Sequence, residues 1–473
     1  MPSIFDLSSL EYVGLSIAMT EALDAQLRAH LDKGPDQEDL TFALWRPSRG
    51  RTRLTAILQC LVLPEPGDRA LHGNVAFTPE YIQRVLHLAG NKFGIALLHS
   101  HLRPGWQGMS HDDIVAERDR LAGAVAGRTG LPLVGLTRGT DGAWSGRFWL
   151  RHAPARYARR WAATVRVVGR QLHMTYHPEL LPPPAPSEMQ AATVSVWGEE
   201  KQADLVRVHV GIIGLGSVGS IVAEALSRLG MTWLSLIDHD RTEWRNLDRT
   251  SGATREDAVQ GTPKVIVAER HIKATHTAEQ ITIESYYGSL LTEEGLQRAL
   301  DCDVLFSCVD RPLPRHLLNA LAYAHLIPVV DGGILAKVRE GHLIHADWRA
   351  HIAGPGRPCL LCLDTLQREE VALDKAGLLD DPVYIKGLGS EFNPLLSRQN
   401  VFPFSMNVAS LEVLQFIGLV TGQPRIGGIG AQTYHCYPGT IEVADKQECS
   451  ALCEYSALTA SAQDLSGNCQ LPL

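Results

Sequence analysis

The pattern of apolar and polar positions divides the N-terminal part of the chain into helix-like and strand-like segments. Residues 15–32 (LSIAMTEALDAQLRAHLD) have the apolar spacing of an amphipathic helix, and residues 79–90 indicate a second one. Apolar runs predict strands at residues 40–45, 52–63 and 93–101. Helices and strands therefore alternate over this part of the chain.

Residues 206–238 open the C-terminal part with a strand, a glycine turn, a helix and a second strand. Further apolar runs predict strands at residues 281–285, 303–310 and 327–333, with helices between them. Strands that alternate with helices at this spacing are typical of a doubly wound, mainly parallel sheet. The predicted fold class is therefore α/β, with a Rossmann-like sheet in the C-terminal part.

Residues 177–195 (HPELLPPPAPSEMQAATVS) separate the two parts, and their prolines predict an extended linker because proline fixes φ and removes a backbone donor. The preceding residues 151–170 carry six arginines and no acidic residue. They predict a solvated basic helix or, alternatively, a docking face for an acidic protein or for nucleotide phosphates. The predicted organisation is a domain at 1–150, a basic and proline-rich connection at 151–194, a domain at 195–455 and a tail at 456–473.

Composition narrows the class of protein. The chain has 473 residues, of which 45% are hydrophobic and 20% charged, as in ordinary globular proteins. A net charge of −8 gives no global reason to expect binding to nucleic acid or to an anionic membrane. Neither a long uninterrupted apolar run nor a signal peptide is recognisable, so we expect a cytoplasmic protein. Nine cysteines in such a protein indicate thiols or metal ligands rather than disulfides.

The strand predicted at residues 93–101 ends in two histidines, His99 and His101, which project to the same face because they are two positions apart. Ser110 and Asp113 follow in an S-x-x-D pattern. Two neutral imidazoles and one carboxylate make a three-ligand zinc site with an open position, where the pKa of a bound water falls to about 7. Hydrolysis at such a site also needs a general base and a donor for the developing oxyanion.

This set resembles the JAB/MPN domain with its JAMM motif, a family of zinc metallo-isopeptidases that trim ubiquitin and ubiquitin-like proteins. The family pattern is a Glu before a strand, then H-x-H, then S-x-x-D, and the similarity covers about residues 10–150. The resemblance implies that Glu38 is the general base and Ser110 the oxyanion stabiliser. Eight residues separate His101 from Ser110, one more than usual, which leaves Asp112 as an alternative ligand. A JAB-shaped scaffold that has lost its metal is the alternative for the whole domain. The implied ligands of one catalytic Zn²⁺ are His99, His101 and Asp113.

A glycine-rich turn, Gly214-Leu-Gly216-Ser-Val-Gly219, follows a predicted strand and opens a helix. Glycines allow a close approach to phosphates, and the N-terminus of the helix favours their negative charge. Asp238 ends the next strand, where a carboxylate accepts hydrogen bonds from ribose hydroxyls. These residues alone are compatible with either NAD or ATP.

Residues further along the chain favour ATP. Asn246, Arg249 and Lys264 supply polar and positive groups that suit a triphosphate. Asp310, at the carboxyl end of a predicted strand, is well placed to hold Mg²⁺ with the phosphates. A redox enzyme needs none of these groups.

The complete set resembles the MoeB/ThiF and ubiquitin-activating adenylation family, which uses ATP to activate the C-terminal Gly-Gly carboxylate of ubiquitin-like proteins. The similarity runs from about residue 195 to 455. It implies that Asp238 binds the ribose and that Asp310 binds Mg²⁺. Three features depart from the family: Thr250 follows Arg249 where Gln is usual, the usual Arg-Gln pair is missing near residues 192–193, and residues 363–403 contain no Cys to form a thioester. The phosphate-contacting residues implied are Asn246, Arg249 and Lys264, and the R-x-x-x-N helix of the family falls on Arg315 and Asn319.

Four cysteines form two closely spaced pairs, and such pairs predict a closed, structural zinc site. The first pair resembles the PCxxCL segment of the MoeB group. Cys469, in a polar tail, is the remaining candidate for a covalent acceptor. The predicted zinc ligands are Cys359, Cys362, Cys449 and Cys453.

The sequence therefore predicts a bifunctional enzyme of a bacterial ubiquitin-like system. One part would process or remove a ubiquitin-like protein, and the other would adenylate that protein's C-terminal glycine. The expected partners are a ubiquitin-like protein with a C-terminal Gly-Gly, a conjugating enzyme and a second copy of the chain in a homodimer, with neither nucleic acid nor membrane. The alternatives are activation of a sulfur-carrier protein for cofactor biosynthesis, which the absent crossover Cys favours, and a non-catalytic scaffold that binds a ubiquitin-like protein.

Overall fold

The computed structural model describes residues 14–34, 36–72, 74–381, 400–423, 430–444 and 447–465. The chain divides into two units. The first consists of Met1–Pro182 with Ala460–Gln463, and the second of Pro183–Thr459 with Asp464–Leu473. The division falls in the proline run, where residues 182–187 form neither helix nor strand.

A nine-stranded mixed sheet forms the centre of the first unit, in the order β11-β10-β1-β3-β2-β6-β7-β8-β9. Its strands are β1 (Gly14–Thr20), β2 (Leu40–Arg49), β3 (Arg53–Val62), β6 (Gly94–Ser100), β7 (Leu133–Arg138), β8 (Trp144–Ala153), β9 (Arg156–Trp161), β10 (Thr164–Val168) and β11 (Leu172–Tyr176). A separate hairpin consists of β4 (Arg69–His72) and β5 (Asn74–Phe77). The helices are α1 (Glu21–Leu31), α2 (Pro79–Ala89), α3 (His111–Ile114), a π-helix (Val115–Leu121) and α4 (Ala122–Thr129).

Helices cover both faces of this sheet. Each face of the sheet has its own hydrophobic core, and alternate residues of β2 point into one or the other. Ala43 and Trp45 belong to the cluster that contains the apolar residues of α1. Phe42 and Leu44 pack with α2 and α4 on the other face. Side chains alternate between the faces of a strand, so a strand buried on both faces is apolar almost throughout. This explains why β2 and β6 read as continuous apolar runs in the sequence.

The helix predicted at residues 15–32 is correct only in its second half. Gly14–Thr20 is instead strand β1, which pairs in parallel with both β3 and β10. The helix begins after Thr20, whose hydroxyl accepts a hydrogen bond from the amide of Leu23 at 3.1 Å. A short apolar run has no periodicity that distinguishes a buried strand from a helix, and here the pairing of two neighbouring strands decides.

The basic helix predicted at residues 151–170 is also wrong, because these residues form the end of β8, all of β9 and β10. The spacing of Arg156, Arg159 and Arg160 also suits a helix, and it is the pairing of β9 with β8 and of β10 with β1 and β11 that makes these residues strands. Arg166 is fully buried in β10, whereas Arg151, Arg156 and Arg159 are exposed on β8 and β9. The segment is therefore part of the sheet of the first unit.

The second unit is built on an eight-stranded sheet with the order β14-β13-β12-β15-β16-β17-β18-β19. Its strands are β12 (Val210–Ile213), β13 (Trp233–Asp238), β14 (Thr282–Tyr287), β15 (Val304–Ser307), β16 (Val329–Arg339), β17 (His342–Ala353), β18 (Gln432–His435) and β19 (Thr440–Val443). The pairs from β14 to β16 are parallel, and those from β16 to β19 are antiparallel. The prediction of a mainly parallel, Rossmann-like sheet is confirmed for the strands β12 to β16.

Helices pack on this sheet and connect its strands. They are α5 (Ala191–Trp197), α6 (Glu199–Val206), α7 (Ser217–Leu229), α8 (Arg255–Gln260), α9 (Lys264–Thr275), α10 (Glu293–Leu300), α11 (Pro312–Ala324), α12 (Arg368–Lys375), α13 (Phe402–Thr421) and α14 (Glu454–Ala457), with short 3₁₀ turns at Glu188–Gln190, Trp244–Asn246 and Leu378–Asp380. By length and composition α13 could cross a membrane, but 56% of its apolar window is buried inside the protein. It packs against α7, β16 and β17 as a helix of the core.

Candidate functional sites

In the first unit, the pairing of β2 with β6 brings Glu38 close to the two histidines. The strands are antiparallel, and Leu40 lies opposite His99. Continuing this register by two residues would place Glu38 opposite His101. Since side chains two positions apart share a face, the sheet directs Glu38, His99 and His101 to the same side.

The two histidines form a compact cluster with Asp113. The Nε2 atoms of His99 and His101 lie 3.2 Å apart, and the carboxylate oxygens of Asp113 lie 3.3 Å from Nε2 of His99 and 3.4 Å from Nε2 of His101. Ligands about 2.0–2.1 Å from a tetrahedral zinc ion are about 3.3–3.4 Å from one another. The three side chains therefore fit one zinc ion with an open fourth position.

Ser110 and Asp113 are joined by reciprocal hydrogen bonds. The hydroxyl of Ser110 accepts from the amide of Asp113 at 3.1 Å, and the carboxylate of Asp113 accepts from the amide of Ser110 at 2.7 Å. This capping box begins α3 and orients the carboxylate that faces the histidines. Asp112 is exposed and lies outside the metal-ligand cluster. The geometry thus favours Asp113 over Asp112 as the third ligand.

Burial and the nearby histidines shift the pKa values of the acidic groups in this cluster in opposite directions. Burial raises the pKa of Glu38 above its usual value, although the nearby His101 and His99 oppose the shift. Burial would likewise raise the pKa of Asp113, but hydrogen bonds from His101 and His99 hold it well below its usual range. Asp113 is therefore an ionised carboxylate that faces the two histidines, and Glu38 is a partly buried carboxyl beside this cluster.

In the second unit, the glycine turn lies between β12 and α7. Gly214 has a φ of +88°, and a Cβ there would lie 2.6 Å from the carbonyl oxygen of Cys308. A Cβ on Gly219 would lie 1.9 Å from the carbonyl oxygen of Gly214. At Gly216, in contrast, no atom of the described residues comes within 4 Å of an added Cβ. Two glycines are thus required by the fold, and the third leaves open space at the N-terminus of α7 for a phosphate.

Asp238 links the end of β13 to the glycine turn. Its carboxylate accepts hydrogen bonds from the amides of Leu215 at 2.6 Å and Asp240 at 2.7 Å, and burial raises its pKa. Lys264, at the start of α9, donates to Asp240 at 2.7 Å. The sheet and this ion pair therefore bring the predicted ribose and phosphate residues to one edge of the sheet.

Asp310 reaches the same edge from β15. This strand pairs in parallel with β12, with Ser307 opposite Ile213. The next amide, of Cys308, donates to the carbonyl of Ile213 at 2.9 Å, so the segment that leads to Asp310 lies against the glycine turn. Asp310 itself is exposed. Its position is that expected of a carboxylate that would hold Mg²⁺ beside bound phosphates.

Asn246 and Arg249 lie on the segment between β13 and α8. The side-chain oxygen of Asn246 accepts from the amide of Glu243 at 2.9 Å. The guanidinium of Arg249 donates to the carbonyl of Arg245 and to Asp248, both at 2.7 Å. Local hydrogen bonds thus orient both predicted phosphate-contacting side chains.

A cluster that the sequence analysis did not single out fixes this segment to α7. The hydroxyl of Ser220 accepts from the amide of Ser251 at 3.0 Å, and the hydroxyl of Ser251 donates to Glu224 at 2.7 Å. His271 of α9 lies 2.9 Å from the same carboxylate. Burial alone would raise the pKa of Glu224. Hydrogen bonds from His271, Ser251 and Arg228 outweigh burial and lower this pKa to about 2. No motif marks these residues, because they come from three separate elements.

Arg315, from the predicted R-x-x-x-N helix, contacts another carboxylate. It donates two hydrogen bonds to Asp331 of β16, at 2.7 and 3.0 Å. Arg349 of β17 donates to the same carboxylate at 2.9 Å. Asn319, also predicted, accepts from the amide of Leu360 at 3.1 Å and so holds the loop that carries the first cysteine pair. Both residues of this helix therefore have structural partners.

The four predicted cysteine ligands come together, with their sulfur atoms within 4.8 Å of one another. The sulfur atoms of Cys359 and Cys453 are 3.5 Å apart, and the amide of Cys359 donates to the sulfur of Cys449 at 3.2 Å. Four thiolates in this arrangement fit one tetrahedral Zn²⁺ with no open position. Cys469 lies outside the described residues.

Comparisons with known proteins concern the second unit. A model of the ThiF family matches residues 188–451, more than half of the chain. Ubiquitin-like modifier-activating enzyme 5 of Drosophila mojavensis is 30% identical over 142 residues, which are 28% of this chain and 35% of that protein. The sulfur carrier protein ThiS adenylyltransferase of Bacillus subtilis is 27% identical over 188 residues, which are 39% of this chain and 53% of that protein. The chain thus spans about a third to a half of these curated relatives.

Among solved structures, E. coli MccB with AMPCPP and MccA is similar over 56% of this chain and 73% of that chain, with 19% identity and a TM-score of 0.44. E. coli tRNA N6-threonylcarbamoyladenosine dehydratase, TcdA, is similar over 32% of this chain and 63% of that chain, with 24% identity and a TM-score of 0.29.

Proposed function

This chain belongs to the ThiF family, and from that premise we propose that its second unit uses ATP to adenylate the C-terminal carboxylate of a ubiquitin-like or sulfur-carrier protein. One observation carries the proposal: the glycine turn, Asp238 and Asp310 lie at the carboxyl ends of the neighbouring parallel strands β12, β13 and β15. Ligands of open α/β sheets bind at this edge.

The proposed reaction requires little proton transfer. A C-terminal carboxylate is already ionised at pH 7. One of its oxygens attacks the α-phosphorus of ATP, the bond to the bridging oxygen breaks, and pyrophosphate leaves as an acyl-adenylate forms. Mg²⁺ held by Asp310 would neutralise negative charge on the phosphates. The remaining contribution of the protein is to position the reactants and to stabilise the charge on the leaving group.

The residues of the second unit have distinct roles in this proposal. The amides at the start of α7 would face the phosphates through the open space at Gly216. Asp238 would accept hydrogen bonds from the ribose, and Lys264 would exchange Asp240 for a phosphate. Asn246 and Arg249 would turn from their local partners to the triphosphate.

The proposal is tested by ATP–pyrophosphate exchange in the full-length chain with Mg²⁺ and candidate ubiquitin-like proteins that end in Gly-Gly. Exchange that depends on that carboxylate supports it, and NAD binding without ATP binding would overturn it.

For the first unit, we propose a JAMM-type zinc hydrolase that cleaves after the C-terminal glycine of a ubiquitin-like protein. The support is the fit of His99, His101 and Asp113 to one tetrahedral ion, together with the position of Glu38 on the same side of the sheet. Zn²⁺ at this site would supply a Lewis acid that acidifies a bound water. Glu38 would take the proton of the attacking water and deliver it to the leaving amine.

Ser110 would stabilise the oxyanion in this reaction. Its hydroxyl oxygen already accepts the amide of Asp113, so its own hydrogen remains available for donation. The test is cleavage of a ubiquitin-like protein fused through Gly-Gly to a reporter, with and without a zinc chelator. Cleavage that survives removal of all zinc would exclude the proposed chemistry.

Together the two units would act on the same Gly-Gly terminus, in the cytoplasm, with a homodimer as the expected assembly. A conjugating enzyme would be the next partner if the adenylate is passed to a protein acceptor. The absence of Cys from residues 363–403 favours the second candidate, activation of a sulfur-carrier protein. The fate of the activated glycine distinguishes the two candidates. In conjugation the glycine is transferred to an amine, whereas in sulfur-carrier activation sulfur is transferred to the glycine. If the chain binds the ubiquitin-like protein but neither adenylates nor cleaves it, the chain is a scaffold.

A further inference from the structure

Two arginines of the second unit share one buried carboxylate near the start of β16. Asp331 is fully buried, and it accepts a hydrogen bond from the hydroxyl of Ser307 at 2.8 Å. Arg315 donates to it at 2.7 and 3.0 Å, and Arg349 donates to it at 2.9 Å. Because a guanidinium remains protonated in proteins, two positive charges face the single negative charge of Asp331. The reaction proposed above gives no role to Arg349.

The acidic side chains around the two arginines compensate Arg315 better than Arg349. Glu370 of α12 contributes a favourable charge at Arg315. Glu412 of α13, which acts on Arg349, is fully buried, and its carboxyl oxygens have no hydrogen-bond partner among the described residues. Burial and the charge of Asp331 raise the pKa of Glu412 well above its usual value, so this group is uncharged at neutral pH. Arg349 therefore shares Asp331 with Arg315 and retains part of its positive charge.

Arg349 uses only part of its hydrogen-bonding capacity on Asp331. Nη1 donates to this carboxylate, whereas Nε and Nη2 have no acceptor in the described part of the chain. These two nitrogens lie over Gly333, where an added Cβ would be 3.1 Å from Nη2 and 3.4 Å from Nε. The side chain of Arg349 is 20% exposed. Since the N–H groups of a guanidinium match the geometry of a carboxylate, Arg349 offers donors for a further anion.

The register of the sheet places Arg349 at the edge that carries the proposed nucleotide site. Ser307 of β15 pairs in parallel with Asp331 of β16. Asp310 and Gly333 therefore both lie shortly beyond this pair, in the same direction along the strands. Arg349 lies opposite Gly333 on the antiparallel strand β17. Its guanidinium thus reaches the same edge of the sheet as Asp310.

The order of the strands separates Arg349 from the groups proposed to bind the triphosphate. Asp238 ends β13, the glycine turn follows β12 and Asp310 follows β15, and the next strands are β16 and β17. Arg249 and Lys264 come after β13, on the opposite side of the glycine turn in this order. The attacking and leaving oxygens are roughly in line at a reacting phosphorus. A pyrophosphate held on the β13 side therefore leaves the side of β16 and β17 for the attacking carboxylate.

We propose that Arg349 binds the C-terminal carboxylate of the substrate protein beside Asp310 and orients it towards the α-phosphorus of ATP. The inference rests on the adenylation proposed above. Nε and Nη2 would hold one oxygen of the carboxylate and leave the other oxygen free to attack. Charge-assisted hydrogen bonds of this kind contribute about 10–100-fold to affinity. Arg349 would therefore discriminate a C-terminal carboxylate from a carboxamide.

The experiment uses the full-length chain and a ubiquitin-like protein that supports ATP–pyrophosphate exchange, prepared with a C-terminal carboxylate and as the C-terminal carboxamide. Binding of both forms is measured without nucleotide, so that no adenylate forms. The wild-type chain should bind the carboxylate about 10–100-fold more tightly than the carboxamide, and Arg349→Gln should bind both forms equally. Its affinity for Mg²⁺·ATP should be unchanged. Arg339→Gln, which removes an exposed guanidinium from β16, is the matched control.

Two measurements guard against a variant that fails to fold. The comparison of the two substrate forms on the wild-type chain needs no variant at all. If chemical denaturation shows that Arg349→Gln is unfolded, Arg349→Lys replaces it, because lysine keeps a positive charge beside Asp331 but lacks the second and third nitrogens of the guanidinium. Arg349→Lys should likewise reduce the discrimination.

Each outcome decides the proposal. Discrimination by the wild type and Arg339→Gln that is lost in the Arg349 variant supports it. Equal binding of the two forms by the wild-type chain, or unchanged discrimination in the Arg349 variant, overturns it, whereas the exchange reaction still supports adenylation. A loss of Mg²⁺·ATP affinity in the Arg349 variant also overturns it, since Arg349 would then contact a phosphate. If no ubiquitin-like protein supports exchange with the wild-type chain, the adenylation proposal fails and this inference with it.

Discussion

Gly219 lies against Gly214 so closely that a Cβ on Gly219 would be 1.9 Å from the carbonyl oxygen of Gly214. The first turn of α7 can therefore pack on the glycine turn only when residue 219 is glycine. Gly214 itself has a φ of +88°, which side chains rarely adopt. Gly216 differs from both, because its φ is −77° and the space beside it is open among the described residues.

Gly216→Ala should separate nucleotide binding from folding. The methyl group fits the folded chain but occupies the approach to the N-terminus of α7, so ATP affinity should fall by at least about 10-fold while stability is retained. Equilibrium binding of Mg²⁺·ATP and chemical denaturation measure the two quantities. Gly127→Ala, another glycine with open space around its Cβ, is the control. Unchanged ATP affinity in Gly216→Ala would place the nucleotide elsewhere.

Asp310→Ala should lower Mg²⁺-dependent ATP–pyrophosphate exchange by about 100-fold or more, the scale of losing one key electrostatic group. Glu279→Ala, which also removes an exposed carboxylate from the second unit, should leave exchange unchanged. The adenylate should accumulate without a thioester, since residues 363–403 contain no Cys. A thioester trapped on Cys469 would contradict this last expectation.

In the first unit, Asp113→Asn should reduce zinc binding at the histidine cluster, whereas Asp112→Asn should not, because only Asp113 faces the histidines. Glu38→Gln should keep the metal and lose cleavage of a Gly-Gly fusion, since it removes the proposed base and not a ligand. Zinc content and reporter cleavage measure the two effects. Loss of zinc in Glu38→Gln would make Glu38 a ligand instead.

Cys359→Ser should remove zinc from the second unit and destabilise it, because a structural metal contributes its binding free energy to folding. Cys436→Ser is the control, since Cys436 is exposed and outside the cluster of four cysteines. Metal analysis and thermal unfolding with and without a chelator provide the measurements. Wild-type zinc content in Cys359→Ser would exclude the four-cysteine site.

The pKa of Glu224, about 2 in the folded chain against an ordinary 4.5, predicts a specific pH dependence. A carboxyl group with a lowered pKa stabilises the fold above its unfolded pKa, and this contribution is lost as the pH falls from about 4.5 towards 2. Glu224→Gln should therefore be less stable than the wild type by about 1 kcal/mol at pH 7, allowing for partial solvent screening. The difference should shrink as the pH falls from about 4.5 towards 2. Denaturation of Glu279→Gln, which removes an exposed carboxylate, is the control. A stability difference between Glu224→Gln and the wild type that does not change with pH would exclude this link between the pKa of Glu224 and stability.

Local patterns in the sequence were sufficient where a residue's chemistry depends on its immediate neighbours. The glycine turn, the H-x-H pair and the two cysteine pairs are short-range features, and the structure brings the proposed ligands of each zinc site within 4.8 Å of one another. The strands predicted at residues 93–101 and 303–310 occur at Gly94–Ser100 and Val304–Ser307. Of the errors at residues 15–20 and 151–170, those at β1 and β10 concern strands that pair with each other although they are far apart in the sequence, whereas β9 pairs with the neighbouring strand β8.

The sequence by itself therefore determined the α/β class, the Rossmann-like sheet and the residues that form the candidate sites, because spacing along a strand or turn fixes which side chains share a face. Only the tertiary structure decided which groups support those residues. Ser251, Glu224 and His271 come from three separate parts of the chain, and their contacts with one another exist only after α7, α9 and the segment between β13 and α8 have packed together. The same is true of Lys264 and Asp240. Buried polar groups need partners, and folding selects those partners from the whole chain rather than from neighbouring positions.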